Sequence, residues 1–319
     1  MAVTVVGSVA FDALETPFGK REKILGGAAT HFSIAASFFT DVRVVGVVGE
    51  DFGPDEFAVF ERREIDTGDL DRVQGADSFF WAGRYQDDMQ VAETLETRLN
   101  VFADFDPVLS PTARGSEIVF LANIQPDLQR RVREQCPGAL LAGLDSMNYW
   151  IQSARESLLE TMGCVDVIVL NDAEIRMLTG EPNLTRGIRQ IRALGPRIIV
   201  VKQGSYGACV FTDDGFFFVP GFPLETVVDP TGAGDAFAGG LFGYLDHHSE
   251  SLGNDHVLRC AVVYGSVLAS FAIEEFGSER LQRLTMDEIE SRFDEFKRMT
   301  RFEPVGLVAR GRTNAIGAE

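Results

Sequence analysis

The chain has 319 residues, 45% of them hydrophobic, enough for one large α/β domain or two ordinary ones. Its formal net charge of −19 argues against a nucleic-acid or anionic-membrane partner, since both reward basic surfaces. It does not exclude ATP, for which a local anion hole outweighs a distant negative field.

No apolar run reaches membrane-spanning length, and residues 1–7 read as a strand and not as a signal peptide. The four cysteines, Cys136, Cys164, Cys209 and Cys260, are far apart without CxxC spacing, as free thiols in a reducing compartment would be. A cytoplasmic location is therefore expected. Lysine stands only at positions 20, 23, 202 and 297, which singles out Lys202 beside a glycine turn.

Residues 3–9 read as a buried strand, with Asp12 just past its end on the usual ligand side of an α/β sheet. Residues 13–24, around Pro17-Phe-Gly19, resemble a small exposed hairpin. Gly26 and Gly27 open an apolar helix, where paired glycines let a ligand approach the backbone, and His31 lies one turn further in. A second buried strand spans residues 42–49, and Pro54 suits the first turn of the helix after it.

Residues 78–105 break the alternation of strand and helix. Residues 78–85 and 91–101 read as further strands, which with residues 13–24 make a small sheet outside the main one, a candidate lid. Trp81 and Arg84 are its candidate substrate contacts, while Phe79, Phe80 and Trp81 suit either stacking on a base or the lid's own packing.

From residue 117 the alternation returns. Apolar runs end at Asn123, at Asp145, at Asn171-Asp-Ala-Glu174, and at Lys202 followed by Gly204-Ser205-Tyr-Gly207. This pattern predicts a doubly wound, mostly parallel sheet with its ligands along one edge. Asn171 and Glu174 share a helix face and suit either a hydrated Mg²⁺ or a capping box. Residues 204–207 offer N–H groups and a hydroxyl to a phosphate, or form a hairpin turn. Residues 215–228 read as strand, proline turn, strand.

The most specific stretch is Asp229-Pro-Thr-Gly-Ala-Gly-Asp235, followed by a glycine-rich apolar helix. Unpaired N–H groups of Gly232, Ala233 and Gly234 at the positive end of a helix bind anions. A carboxylate beside such a hole repels a resting phosphate. Asp235 there has a purpose as a general base, taking a proton from a hydroxyl that attacks phosphorus. No P-loop, GxGxxG dinucleotide fingerprint, HExxH or GxSxG occurs in the required context.

This heptapeptide resembles the C-terminal signature of the ribokinase family, the PfkB-type carbohydrate and nucleoside kinases. Residues 7–12, the Gly26-Gly27 helix, Asn171-x-x-Glu174 and Gly204-x-x-Gly207 follow in the family's order over nearly the whole chain. The resemblance implies one Rossmann-like α/β/α domain over residues 1–319 with a small β-sheet lid, transferring the γ-phosphate of ATP–Mg²⁺ to a hydroxyl of a sugar or nucleoside. It implies Asp235 as base, residues 232–234 as anion hole, and Asp12, Gly26 and Gly27 as binders of acceptor hydroxyls, with His31 and Asn123 nearby. Asn171 and Glu174 would organise metal and phosphate, and Lys202, Gly204, Ser205, Gly207, Thr231 and Gly265 would face the nucleotide. A monovalent cation such as K⁺ would bind between Asp229 with Thr231 and a later loop from Ile273 to Gly277, and the lid would serve as a homodimer surface. This chain departs from many sugar kinases of the family at His31, where they carry Asn, from some members at about Gly265, where they place a nucleotide-facing Asn, and at Trp150, where some carry an acceptor-gripping Arg. A non-catalytic binder on the same fold is the rival from another class.

Overall fold

The computed structural model describes residues 2–303. Its strands are β1 (Ala2–Val6), β2 (Ala10–Thr16), β3 (Gly19–Gly26), β4 (Asp41–Val48), β5 (Asp66–Arg72), β6 (Phe79–Tyr85) and β7 (Ala92–Arg98). They continue with β8 (Ile118–Leu121), β9 (Leu141–Asp145), β10 (Val167–Asn171), β11 (Ile198–Lys202), β12 (Ala208–Phe211) and β13 (Phe216–Val219). Nine form one sheet in the order β13-β12-β11-β10-β9-β8-β1-β4-β5, parallel from β11 to β5 and closed at one edge by antiparallel β12 and β13. The chain runs outward from β1 to β4 and β5, then resumes at β8 on the other side of β1. Such a reversal opens a crevice beyond the carboxyl ends of the strands.

Strand alternation divides the core into two faces. Val3, Val5, Ile118, Phe120, Val167 and Val169 join the cluster covered by the helices Ala28–Ala36, Ala233–His247 and Asp255–Ala272. Val6, Val119, Leu121, Ile168 and Leu170 join the other, covered by Pro126–Gln135, Arg155–Met162, Asp172–Thr179 and Leu184–Arg192. The expected doubly wound sheet is present. Cys136, Cys164, Cys209 and Cys260 are free. Among the described residues no helix is long and apolar enough to cross a membrane.

The second sheet has the order β3-β2-β6-β7 and is the small sheet expected outside the main one, with longer strands than residues 13–24 suggested. Two other readings need correction, and one strand was not foreseen. The first strand ends at Val6, and Asp12 belongs to lid strand β2, because Gly7 and Ser8 turn the chain out of the main sheet. The polar segment Asp66–Arg72 is an edge strand, paired on one side only, so it needs no apolar run. Residues 220–228 contain no strand, and only β13 occupies the expected pair.

The helix Ala233–His247 is drawn against its neighbours by missing side chains. A Cβ on Gly239 would stand 2.3 Å from the Phe32 carbonyl oxygen, and one on Gly240 3.1 Å from the Gly265 Cα. Beneath it, Phe32 stacks on Phe120 at 4.5 Å between centroids, and Phe120 meets Phe242 at 4.8 Å. This aromatic layer fixes the helix that carries the signature. Phe120→Ala is expected to cost about 3–5 kcal/mol, read as a lower midpoint in urea unfolding; a change below about 1 kcal/mol would show that the layer is not a keystone.

Candidate active site

The heptapeptide turns into its helix at Gly232, whose φ of 75° is left-handed. A side chain is excluded there twice over, since a Cβ would also stand 2.4 Å from the His31 ring. The helix then starts at Ala233, and its first N–H groups have no acceptor within the helix. His31 therefore backs the turn. With 1% exposure it presents no surface to a ligand, contrary to expectation, because every residue of the Ala28–Ala36 helix is buried. Burial pushes the imidazole down to about 4, so it is neutral, and neither ring nitrogen bonds to a protein group.

Asp235 lies in the first turn of the signature helix. Burial, reinforced by Asp145, pushes its carboxyl up to about 7, against an opposing pull from Lys202. Lys202, the last residue of β11, donates to Asp145 Oδ2 at 2.8 Å and lies against Gly234, where a Cβ would be 3.0 Å from Nζ. Burial works against the ammonium, but Asp145 and Glu174 outweigh it and raise its proton affinity. Asp145, at the end of β9, was not among the expected site residues. Its signal was the apolar run that stops at it.

Asn171 and Glu174 form a capping box: the Glu174 amide donates to Asn171 Oδ1 at 2.8 Å, and the Asn171 amide donates to Glu174 Oε2 at 2.7 Å. Burial raises the Glu174 carboxyl. Among the described residues no group of three or more His, Cys, Asp or Glu is arranged to hold a metal by itself. One capped carboxylate near an amide suits an ion that keeps its waters and shares phosphate oxygens, as Mg²⁺ does. The acid excess around Lys202 also favours a divalent cation, so the residues fit one.

Asp12 is buried in β2 against the glycine pair. A Cβ on Gly26 would fall 1.9 Å from its Oδ2, and Gly27, at φ +96°, has no room beside the Ser8 carbonyl. Ser8 Oγ accepts the Ala28 amide at 3.0 Å and so caps the helix that follows. Burial, then Asp229 and Asp235, push the Asp12 carboxyl up to about 7. Asn123, two residues beyond β8, donates to Met147 Sδ at 3.0 Å, and its Oδ1 is buried without a protein partner.

The expected cation loops meet. Asp229 accepts the Thr231 amide at 2.9 Å and the Gly277 amide at 2.8 Å, while the Ile273 carbonyl accepts the Val228 amide at 2.9 Å. These bonds join the loops without an ion. The turn expected on the nucleotide side is a 3-10 segment, Gly204–Tyr206, opened by left-handed Gly204 (φ 54°) and followed by Gly207 (φ 104°), with Ser205 exposed.

The small sheet, the candidate lid, reaches this edge. Tyr85, the last residue of β6, accepts a hydrogen bond from Thr231 Oγ1 at 3.2 Å, and Gln90 lies over Gly204. Burial pushes the Tyr85 phenol up to about 12. Sequence reasoning missed Tyr85 and chose its neighbour Arg84. Adjacent strand residues face opposite ways, and Arg84 points away, paired with Glu15 at 3.0 Å and Glu93 at 3.9 Å. Trp81 packs within the lid, its ring over Gly83 and its Nε1 donating to Thr94 at 3.3 Å. Gly265 is also corrected: it fills the crossing of two helices, where a Cβ would meet the Phe237 carbonyl oxygen at 2.8 Å.

Four of these groups set a pH dependence. Asp12 and Asp235 rise from 3.8 to about 7 on folding and Glu174 from 4.5 to about 7, against one opposing group, His31, which falls from 6.5 to about 4. Between about pH 4 and 7 the folded chain thus binds more protons than the unfolded one, and stability falls as pH rises through that window. Urea midpoints of the ligand-free protein should drop from pH 5 to pH 7.5, with a shallower drop in Asp12→Asn; a midpoint that rises over this range would contradict the crowding of carboxylates.

Comparison with known proteins identifies the family. A family model described as pfkB family carbohydrate kinase matches residues 3–283. A cytidine kinase of Thermococcus kodakarensis is 28% identical over 249 residues, covering 76% of this chain and 88% of its own. The solved structure of a Methanocaldococcus jannaschii nucleoside kinase superposes with a TM-score of 0.75 at 21% identity, covering 92% of this chain and 98% of that one. A Vibrio cholerae fructokinase, solved with fructose, ADP and calcium, superposes with a TM-score of 0.75 at 19% identity, covering 91% and 98%. The fold is ribokinase-like, and the chain belongs to the pfkB family of carbohydrate kinases, enzymes that phosphorylate an alcohol group of a sugar or nucleoside.

Proposed function

We propose that this chain transfers the γ-phosphoryl group of ATP to a hydroxyl of a sugar or sugar-like small molecule, with Asp235 as the general base. The observation that carries the reading is the place of Asp235. Its carboxyl lies in the first turn of a helix whose first N–H groups have no acceptor within the helix and suit a phosphate, and its proton affinity is raised to about 7.

Asp235 takes the proton of the acceptor hydroxyl as that oxygen attacks the γ-phosphorus. The bond from phosphorus to the β,γ-bridging oxygen breaks, ADP leaves with the electron pair, and a phosphate monoester forms. Amides of residues 232–234 stabilise charge on the transferring group. Lys202, pinned against Gly234, adds a positive charge at the same place. Asn171 and Glu174 would hold Mg²⁺ through water, and Mg²⁺ when bound neutralises phosphate oxygens. Gly204, Ser205 and Gly207 serve the nucleotide; Asp12, Gly26, Gly27 and Asn123 serve the acceptor. A monovalent cation such as K⁺ would reinforce the join of the Asp229 and Gly277 loops, and the reading does not rest on it.

Asp235→Asn should lower turnover by about 10²–10⁴-fold while ADP affinity by calorimetry stays near the parent value. Turnover within a few-fold of the parent would remove Asp235 from the role of base. The lid contact gives a second expectation. Tyr85→Phe abolishes the acceptor for Thr231, so ADP release without acceptor should rise relative to phosphoryl transfer, because a loosened lid admits water. An unchanged ratio would separate Tyr85 from closure.

A further inference from the structure

Three carboxylates act on the Lys202 ammonium, those of Asp145, Glu174 and Asp235. Among the described residues only Asp145 takes a hydrogen bond from it, at 2.8 Å. This choice is built into the fold at both ends of Asp145. Its Oδ1 accepts the Ser146 amide at 2.8 Å, which leaves Oδ2 for the lysine. Its carbonyl oxygen accepts from Gln129 Nε2 at 2.9 Å, and the same nitrogen meets the Leu121 and Ala122 carbonyls at 3.1 and 2.9 Å. Gln129 is fully buried on the inner side of the helix Pro126–Gln135, in line with Pro126 and Val132. It ties the end of β8 to the end of β9 and so fixes the backbone of Asp145.

The other two acids are held differently. Glu174 is committed to its capping box, with Oε2 on the Asn171 amide. Asp235 is bonded by its own amide and by no other described residue, so it keeps an oxygen open to a hydroxyl. Lys202 starts from β11, and β10 lies between that strand and β9. Two strand spacings are about 10 Å, so the lysine stem is drawn out across the end of β10 to reach Asp145. An ammonium released from Asp145 would find open oxygens on Asp235. That pairing would cover the oxygen that has to take the hydroxyl's proton.

We infer that Asp145 is a positioning residue of the transfer reaction: it holds the Lys202 ammonium beside Gly234 and keeps it from pairing with Asp235. The cation then serves the phosphoryl group while the base stays free. Gln129 is the anchor of this arrangement, acting through the Asp145 backbone. The inference rests on the kinase reading and adds to it a residue that touches neither the acceptor nor the nucleotide.

The test uses Mg·ATP with whichever of ribose, fructose, adenosine and cytidine the parent phosphorylates. Asp145→Asn keeps the shape of the side chain and removes its charge. It should lower kcat by about 10²-fold, the cost of a misplaced catalytic group, with the acceptor KM within a few-fold of the parent. Lys202→Met should lower kcat to a similar degree. Adding Asp145→Asn to Lys202→Met should then cost no more than about twofold, because a residue acting through another has no effect once that other is gone. Losses that multiply in the double variant, or a kcat of Asp145→Asn within a few-fold of the parent, overturn the inference. The contact is also read without turnover. The chain has four lysines, so in protein carrying isotope-labelled lysine the NMR signal that Lys202→Met removes belongs to Lys202. Asp145→Asn should move that signal and leave the others in place, which reports a native fold; an unmoved signal overturns the inference as well. Failure of the kinase reading looks different: the Lys202 signal moves, but the parent itself forms no phosphate monoester with any of these acceptors.

Discussion

The ammonium of Lys202, 2.8 Å from Asp145 and packed against Gly234, is the interaction on which the site depends. Three carboxylates, those of Asp145, Glu174 and Asp235, act on it together. Burying acids side by side is costly unless a cation stands among them. Here the cation is placed by the last residue of a central strand, and the acids by the ends of β9 and β10 and by the first turn of the signature helix. The parallel sheet is therefore the device that makes the charge cluster affordable, since it delivers these residues to one edge. Asp235 keeps a raised proton affinity because burial, reinforced by Asp145, outweighs the pull of the lysine.

The glycines serve the same arrangement by leaving room. Gly232 yields its side-chain space to His31, Gly234 to Lys202 and Gly26 to Asp12. In each case a charged or aromatic group is pressed onto backbone, which keeps the nearby N–H groups close to whatever occupies the crevice. The lid completes the enclosure through one polar contact, Thr231 to Tyr85, made between the signature loop and a strand 146 residues earlier.

Much of this was legible in the chain. Apolar runs that end in Asn123, Asp145, Asn171 and Lys202 could be read as a parallel sheet with a ligand edge, and the heptapeptide as a left-handed turn into a helix, because local chemistry decides both. What escaped was decided by tertiary contact. Asp12 looked like the end of the first strand, since residues 3–12 are apolar almost throughout, yet Gly7 and Ser8 redirect them into the lid. Arg84 drew attention as a charge, although one residue of strand alternation turns it away and points Tyr85 inward. His31 carried a functional residue type but serves as backing, and Gly265 sits in a helix crossing that no local pattern announces.

The central claim is that the edge holding Asp12 and Asp235 joins an acceptor hydroxyl to the γ-phosphate of ATP. The most direct measurement incubates the protein with Mg·ATP and each of ribose, fructose, adenosine and cytidine, following ADP and the phosphorylated acceptor together. The account predicts that one class of acceptor yields both products in equal amounts, with little ADP in its absence. ADP released at the same rate with and without every acceptor, and no phosphate monoester formed, would contradict it.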